Sequence, residues 1–154
     1  MIPLLVGAAI AIGGVMIGVS EYEKKEEEAK RILSSGISEV DKMTGKEFEK
    51  LLLLLFKNLG YQISLTSGSQ DYGADLILYK DGVKTVVQAK RYKNPVSVKA
   101  VQEVSSSLKY YKADKAMVIT NNRFTENACN LARSNSVELW DRKKLIEFML
   151  HAKS

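Results

Sequence analysis

The chain has 154 residues, of which 45% are hydrophobic and 27% charged, a composition typical of one globular domain and unlike that of a disordered chain. It contains one cysteine, Cys129, and one histidine, His151. This excludes an internal disulfide and a zinc site of the usual Cys/His kind, and argues against a nucleophilic triad. Catalytic chemistry in this chain must therefore rest on carboxylates, amides, lysines or hydroxyls.

Charge is unevenly distributed along the chain, because residues 1–20 contain no charged side chain. A helix over the apolar segment from Ile2 to Val19 would be roughly 28 Å long, close to the hydrocarbon thickness of a bilayer. We therefore predict that residues 1–20 form a single-pass transmembrane anchor in the cell membrane. A buried core helix and a cleaved signal peptide are the alternatives. Bases follow the segment and predict a cytoplasmic C-terminal domain; they are Lys24, Lys25, Lys30 and Arg31.

Small residues recur within the apolar segment at Gly7, Ala11, Gly14 and Gly18, and the pattern includes a GxxxG spacing. Such a stripe lets two membrane helices approach closely, and thereby indicates a homodimer. The alternative is that glycine is simply frequent in membrane helices.

Residues 21–42 hold seven acids and five bases, with Glu and Lys at helical spacing and a Ser-Ser-Gly sequence at 34–36. This pattern is typical of a solvated helical stalk with a hinge. We predict that residues 43–154, with 18 bases and 11 acids, form the functional domain. Its excess of bases fits a phosphate-backbone partner, and fits equally well ordinary solubilising charge or attraction to an anionic membrane surface.

The predicted domain begins with a helix and three strands, after which helices and single strands alternate. Thr44 and Glu47 have the spacing of a capping box, which starts a helix over 45–59. The sequence predicts strands at 61–66, 75–79 and 84–90, with Asp81-Gly82 as the hairpin turn between the last two. It then predicts a helix at 97–111, a strand at 116–120, a helix at 125–133, a strand at 137–140 and a helix at 143–150. This order indicates an α/β fold with a mixed sheet flanked by helices.

Candidate site residues lie on the central hairpin. Asp75 starts one strand, and the paired strand carries Gln88 and Lys90 on one face. A carboxylate and an amide oxygen can ligate a hard divalent cation, and the lysine can hold a phosphate or orient a water. Glu49 lies in the apolar arc of the helix at 45–59, where a carboxylate is costly unless it is paired, protonated or metal-bound. A salt bridge to Lys90 is an equally good interpretation of Glu49.

Several motifs between Thr44 and Phe148 resemble those of one known family. They are Gly45-x-x-Phe48-Glu49, Leu59-Gly60-Tyr61, Asp71-Tyr72-Gly73-Ala74-Asp75-Leu76, Gln88-Ala89-Lys90-Arg91-Tyr92, Val118-Ile119-Thr120 and Phe124-Thr125-x-x-Ala128. Over about 105 residues the chain is similar to the Mrr-type catalytic domain of the restriction-endonuclease-like, PD-(D/E)xK nuclease superfamily. The resemblance implies a restriction-endonuclease-like mixed sheet and metal-dependent hydrolysis of DNA phosphodiester bonds. Some members of the family restrict modified foreign DNA.

Carried over by position, the resemblance implies that Asp75 is the principal metal ligand and Lys90 the catalytic lysine. Gln88 would replace the usual second acid, as in the QxK variant of the Mrr group. Glu49 would be the helix-borne acid that holds Mg²⁺ together with Asp75 and Gln88, and Mn²⁺ can substitute for Mg²⁺. Asp71 matches a recurring position and would support the loop or a second metal.

Three bases near this site, Arg91, Lys93 and Lys99, are expected to contact the DNA backbone without reading its sequence. Two alternatives to a restriction nuclease stay open. One is a membrane-tethered DNA-binding protein without turnover, whose binding weakens steeply with salt. The other is a junction-resolvase-like, structure-specific nuclease that acts as a dimer on branched DNA.

Overall fold

The computed structural model describes residues 13–33, 35–66 and 72–153. The helices are α1 (Gly13–Leu33), α2 (Ile37–Val40), α3 (Gly45–Asn58), α4 (Val98–Tyr110), α5 (Glu126–Asn135) and α6 (Arg142–Lys153). The strands are β1 (Gln62–Leu65), β2 (Leu76–Lys80), β3 (Val83–Lys90), β4 (Lys115–Thr120) and β5 (Val137–Trp140). Each element predicted in residues 43–154 is present, and its ends lie within three residues of the predicted ones.

The described residues fall into two compact units, one ending at residue 34 and one beginning at Ser35. In the first unit, α1 runs without a break from the apolar segment into the charged one. Ion pairs along α1 join Lys24 to Glu21 at 3.9 Å and Lys30 to Glu26 at 3.9 Å. Because these side chains are largely exposed, each pair contributes at most about 0.5 kcal/mol to the helix.

Within residues 13–33, 35–66 and 72–153, no helix is both long enough and apolar enough to cross a bilayer. The greater part of the predicted anchor, residues 1–12, lies outside the described residues, and so do Gly7 and Ala11 of the small-residue stripe. The anchor therefore stays a prediction.

The second unit is built on one five-stranded sheet with the order β1-β2-β3-β4-β5. The first three strands form an antiparallel meander, and β3, β4 and β5 run parallel to one another. The parallel strands are connected through α4 and α5. The mixed sheet with flanking helices that the sequence predicts is confirmed.

Local sequence signals explain where two of these elements begin and turn. Thr44 Oγ1 accepts from Glu47 N at 3.1 Å, and Glu47 Oε1 accepts from Thr44 N at 3.0 Å, which completes the predicted capping box of α3. At the hairpin between β2 and β3, Asp81 and Gly82 have φ values of 52° and 78°. Positive φ at both central residues is the requirement of a type I′ turn, so the predicted hairpin is also confirmed.

One face of the sheet packs against α4 and α5 through small aliphatic side chains. Ile77 and Val86 contribute from β2 and β3, and the helices contribute alanines and valines. The buried helix residues in this cluster are Ala100, Val101, Val104, Ala128 and Ala132.

The other face packs against α3 and α6 through large side chains. Phe56 of α3 lies at its centre, with its ring centroid 4.6 Å from Phe148, 5.1 Å from Tyr61 and 5.8 Å from Trp140. Four further residues of α3 are fully buried: Phe48, Leu51, Leu52 and Leu55.

The second unit starts earlier than residue 43, the predicted domain start, because residues 35–42 make contacts inside it. Val40 is fully buried, and Asp41 forms a two-bond salt bridge with Arg142 at 2.8 and 3.0 Å. Lys153 donates a hydrogen bond to the Ser35 carbonyl oxygen. Desolvation lowers the pKa of Lys153, although Glu39 acts in the opposite direction.

Candidate active site

Asp75 lies at the point where β2 and β3 begin to separate. The sequence predicts it as the first residue of its strand, and β2 begins one residue later, at Leu76. Its backbone N–H nevertheless donates to the Val87 oxygen at 2.8 Å, and its Oδ2 accepts from the Ala89 N–H at 2.8 Å. The carboxylate therefore replaces a backbone carbonyl in the ladder, and this fixes the side chain between the two strands.

Gln88 and Lys90 lie two residues apart on β3 and therefore point to the same face of the sheet as Val86. The regular pairing of β2 with β3 ends at Leu76 and Val87, and Ile77 pairs with Val86. Asp75 comes directly before the paired part of β2. Because Ile77 and Val86 belong to the cluster that packs on α4, this face is the α4 face.

Glu103 of α4 joins the two β3 residues. Its Oε2 accepts a hydrogen bond from Gln88 Nε2 at 3.2 Å and lies 3.7 Å from Lys90 Nζ. The Lys90 and Glu103 side chains are 18% and 32% exposed, so their ion pair is partly shielded from water. The Lys90 ammonium also lies 5.5 Å from the centre of the Tyr92 ring. Lys90 is thus held between an acid and an aromatic face, and one side remains open to solvent.

Gln88 carries an unsatisfied polar atom. The residue is 4% exposed, and its Oε1 is buried without a hydrogen-bond partner within the described structure. More than nine in ten buried polar groups in native proteins are paired, so an orphaned acceptor needs an explanation. A bound water, metal ion or substrate atom would provide one.

The segment that leads into Asp75 packs closely on α4. Gly73 has a φ of +85°, and a Cβ built there would lie 2.2 Å from the Glu103 backbone oxygen. Only glycine fits both the backbone conformation and the space. Next to it, the Tyr72 ring stacks on Tyr110 with centroids 3.9 Å apart, and both rings are more than half exposed. A side-chain hydrogen bond between Tyr110 and Tyr72 is the main cause that raises the pKa of Tyr110.

A polar network adjoins the end of β3. Asn121 Oδ1 accepts from Tyr92 N at 2.8 Å, and Asn121 Nδ2 donates to Asp41 Oδ1 at 2.9 Å. The Arg142 guanidinium that binds Asp41 is the main cause that lowers the pKa of Asp41, and the Asn121 bond acts in the same direction against desolvation. In return, Asp41 raises the pKa of Arg142.

The three predicted DNA contacts differ in their surroundings. Arg91 donates from Nη1 to the Asp41 carbonyl at 3.1 Å, and its Nε is buried without a partner in the described part of the chain. This residue therefore supports the local structure. Lys93 and Lys99 are exposed.

A pocket of about 510 Å³ lies beyond the network, at the carboxyl ends of β4 and β5. Three bases line it, and Arg142 is the one bound to Asp41. Arg123 and Lys143 form no ion pair with another residue of the described ranges. The remaining lining residues are Asn121, Asn122, Asp141 and Ile146. Sequence reasoning does not find this basic pocket, because its residues come from two separate segments, 121–123 and 141–146.

Asp75 is bound to the N–H of Ala89, and the residues on either side of Ala89, Gln88 and Lys90, both meet Glu103; their roles in catalysis stay a prediction. Glu49 is half-buried on α3, the helix that packs on the opposite face of the sheet. Asp71 lies outside the described residues. Across the described ranges, no three His, Cys, Asp or Glu side chains cluster closely enough to form a metal site by themselves.

Glu103 is the site residue that the sequence analysis misses. At about 100° per residue, Glu103 lies about 40° outside the buried arc of α4, whose edge is Ser107. An acid at the border of an apolar arc is a weak signal, because such positions usually face water. Its role depends on where the helix lies on the sheet, which the helix sequence does not encode.

Comparisons with known proteins identify the family and the fold of this chain. The sequence profile of the Mrr catalytic domain, described as "Restriction endonuclease", matches residues 40–149. The type IV methyl-directed restriction enzyme EcoKMrr of Escherichia coli (strain K12) is 30% identical over an alignment of 112 residues that covers 67% of this chain and 37% of that protein. The chain thus spans little more than a third of the length of that relative.

Two solved structures share the fold. The DNA modification-dependent restriction endonuclease AspBHI superposes with a TM-score of 0.59 and 21% identity, over 83% of this chain and 36% of that one. The MspJI restriction endonuclease, solved in complex with a 27-mer oligonucleotide, superposes with a TM-score of 0.50 and 19% identity, over 85% of this chain and 31% of that one.

Proposed function

Because the chain belongs to the restriction endonuclease family, of the Mrr catalytic type, we propose that it is a DNA endonuclease that hydrolyses phosphodiester bonds and restricts foreign or modified DNA. The observation that carries the proposal is the set of contacts at the end of β3, where Asp75 accepts from the Ala89 N–H and the flanking Gln88 and Lys90 both meet Glu103 Oε2. An acid, an amide oxygen and an ammonium group suit a phosphate that must be held and attacked by water.

The donor set fits a hard divalent cation. The buried Gln88 Oε1 has no partner within the described structure, and the Asp75 carboxylate is fixed beside it by the Ala89 N–H. Oxygen ligands of this kind are those that Mg²⁺ prefers. Asp75 and Gln88 would hold the ion. Glu49 stays a third ligand proposed from the sequence alone, since α3 packs on the face of the sheet opposite to α4. When bound, Mg²⁺ or Mn²⁺ lowers the pKa of water and neutralises charge on the phosphate.

Among the residues of the chain, Lys90 stabilises the phosphate during the reaction. Its ammonium donates to a non-bridging phosphate oxygen and stabilises the negative charge that grows there as a water oxygen bonds to phosphorus. The bond from phosphorus to the leaving sugar oxygen then breaks, that oxygen gains a proton, and the attacking water loses one to solvent. Glu103 holds the Lys90 ammonium in place between turnovers.

Cleavage by the purified full chain with Mg²⁺ or Mn²⁺ tests this proposal, on methylated, unmethylated and branched DNA. We expect Asp75→Asn and Lys90→Ala each to reduce cleavage at least about 100-fold. Asp81→Asn is a matched control at the other end of β2, since Asn tolerates the positive φ of that turn. Wild-type protein that cleaves none of these DNAs would refute the proposal, and binding without turnover would favour the tethered DNA-binding protein.

Basic side chains around the site are proposed to bind the DNA backbone. Lys93 and Lys99 are exposed, and Arg123 and Lys143 line the adjoining pocket. Arg91 contributes through its charge while it supports Asp41. Such contacts position the duplex and carry no sequence information.

A structure-specific nuclease, which would act on branched DNA, is the second candidate. The observation that favours it is the exposed Tyr72–Tyr110 stack beside the segment that leads into Asp75. Aromatic faces stack on unpaired bases of any sequence. A preference for four-way over linear duplex DNA that is lost in Tyr110→Ala would select this candidate.

We propose that residues 1–20 anchor the chain in the cell membrane, with the second unit in the cytoplasm. The uncharged sequence and the bases that follow it support this topology. A reporter enzyme that is active only in the cytoplasm should therefore be active when it is fused after Ser154. The small-residue stripe supports a homodimer, which cross-linking of the full chain in membranes would detect.

A further inference from the structure

We infer that Glu103 is a positioning residue that fixes the orientation of the Gln88 amide, so that Oε1 is presented to the bound cation. The inference rests on the proposed function and assigns a residue on α4 to the site. A QxK site has two different orientations of the glutamine amide, because one end of an amide is an oxygen and the other a nitrogen. In an ExK site the two carboxylate oxygens are equivalent, so the two orientations are the same.

The argument starts from what each atom can do in a hydrogen bond. An ionised carboxylate only accepts, whereas an amide presents a donor at one end and an acceptor at the other. Glu103 Oε2 lies 3.2 Å from Gln88 Nε2. If the amide were reversed, two acceptor oxygens would face each other in a nearly buried position. Glu103 therefore selects the rotamer in which the nitrogen points toward α4.

The consequence appears at the other end of the amide. Gln88 Oε1 is buried without a partner in the described structure, and the residue itself is 4% exposed. Asp75 Oδ2 accepts from the N–H of Ala89, the residue that follows Gln88. An acceptor left unpaired beside a carboxylate is the arrangement that a cation requires and that a folded core otherwise avoids.

Glu103 is itself held at a fixed distance from the site. The Gly73 backbone touches the Glu103 backbone so closely that a Cβ at residue 73 would lie 2.2 Å from the carbonyl oxygen. Two residues after Gly73 comes Asp75, whose carboxylate is bound by Ala89 N–H. The same turn of α4 thus positions the segment of the ligand Asp75 through its backbone, and Gln88 through its side chain.

A simpler interpretation is that Glu103 only neutralises Lys90, whose Nζ lies 3.7 Å from the same oxygen. The two interpretations differ in how they depend on residue 88. Orientation matters only while residue 88 is an amide, because the two oxygens of a carboxylate are equivalent. A purely ionic role of Glu103 would be independent of that choice.

The test is a cycle of the variants Glu103→Gln, Gln88→Glu and Gln88→Glu/Glu103→Gln in the full chain. Mn²⁺ affinity is measured by electron paramagnetic resonance, together with DNA cleavage and thermal unfolding. We expect Glu103→Gln to weaken Mn²⁺ binding about tenfold when residue 88 is Gln, since a supporting partner of a ligand typically contributes that much. In the Gln88→Glu background, the same change should not weaken binding, because the amide introduced on α4 can donate to either oxygen of the carboxylate introduced on β3.

Two further variants keep the result interpretable. Glu147→Gln on α6 makes the same change of charge at an exposed position and should leave Mn²⁺ binding unchanged. Glu103→Asp retains the charge and shortens the side chain; it should weaken binding if orientation matters and leave it unchanged if only charge does. It also replaces Glu103→Gln if that variant fails to fold.

Equal weakening in both backgrounds would overturn the inference and leave the proposed nuclease function intact. Wild-type chain that neither binds Mn²⁺ nor cleaves DNA would overturn both. Weakening confined to the Gln88 background, with cleavage falling in parallel, is the result that the inference requires.

Discussion

The two faces of the sheet are built from side chains of different size. The buried residues of the face under α4 and α5 are alanines, valines and one isoleucine, whereas its larger side chains, such as Phe124 and Leu131, are only partly buried. The polar cluster lies at one end of this face. The face under α3 and α6 is filled by leucines and by a group of aromatic rings around Phe56. Small side chains let a helix come close to the sheet, whereas large side chains bury more apolar area per residue.

The two faces therefore have different roles: the α4 face positions groups of the candidate site, and the α3 face stabilises the fold. On the α4 face, the backbone of Glu103 touches Gly73, so the helix can position groups on the neighbouring strands directly. On the α3 face, interlocking rings supply much of the apolar burial that offsets the conformational entropy of folding. Substitutions on the two faces should therefore change different measurements.

The largest loss of stability is expected from Phe56→Ala. The side chain is 2% exposed and contacts three other rings, so its removal should lower the free energy of unfolding by about 3–5 kcal/mol. Cleavage per folded molecule should stay near that of the wild type. Chemical denaturation and a cleavage assay check both, with the exposed Leu150→Ala as control. If folded Phe56→Ala lost cleavage, the α3 face would also affect the candidate site, and the assignment of different roles to the two faces would be wrong.

Gly73→Ala tests the opposite face. The added Cβ would meet the Glu103 oxygen at 2.2 Å, and we expect a loss of about 1–3 kcal/mol together with a loss of cleavage by the folded fraction. Gly82→Ala is the matched control, because its φ of +78° is similar and nothing lies within 4 Å of the added atom. If both variants lose cleavage equally, backbone strain and not the approach to α4 is the cause.

A smaller effect is expected at the basic pocket. The double variant Arg123→Ala/Lys143→Ala should raise the Kd for duplex DNA about tenfold and reduce its salt dependence, with kcat nearly unchanged. Lys46→Ala/Lys57→Ala removes the same charge from α3. Binding titrations at several salt concentrations distinguish the two pairs, and equal losses would show that only net charge matters.

The smallest effect concerns the network that joins α6 to the end of β3. Asp41 has a lowered pKa, so its contribution to stability is present above the unfolded pKa of about 3.9 and is lost as the pH falls through the folded pKa. Asp41 and Arg142 are 38% and 43% exposed, so Asp41→Asn should cost at most about 1 kcal/mol near neutral pH. Unfolding measured at a series of pH values should show the difference disappear in acid. A difference that is independent of pH would contradict the assignment to this ion pair.

Most of the fold could be predicted because its signals are local. The capping box at Thr44, the type I′ turn at Asp81-Gly82 and the alternation of strands and helices each depend on a few neighbouring residues. Strand period is local in the same way, since it predicts that Gln88 and Lys90 share one face of β3, and both meet Glu103 there.

The remainder depends on contacts that sequence spacing does not encode. Glu103 reaches Gln88 across 15 residues only because α4 crosses back over β3, and Asp41 meets Arg142 across 101. The early start of the domain at Ser35 has the same origin, because a charged segment resembles a stalk until its partners are known. Glu49 is favoured by its apolar surroundings in the sequence, and its role as a ligand stays a prediction.

The hydrogen bond from Lys153 to the Ser35 carbonyl has a further consequence. It places the beginning of the second unit beside the end of its last helix. A module whose two ends adjoin can be inserted into another chain, or joined to other domains on either side, through short linkers. The catalytic fold can thus be combined with different targeting or recognition modules while its sheet stays unaltered.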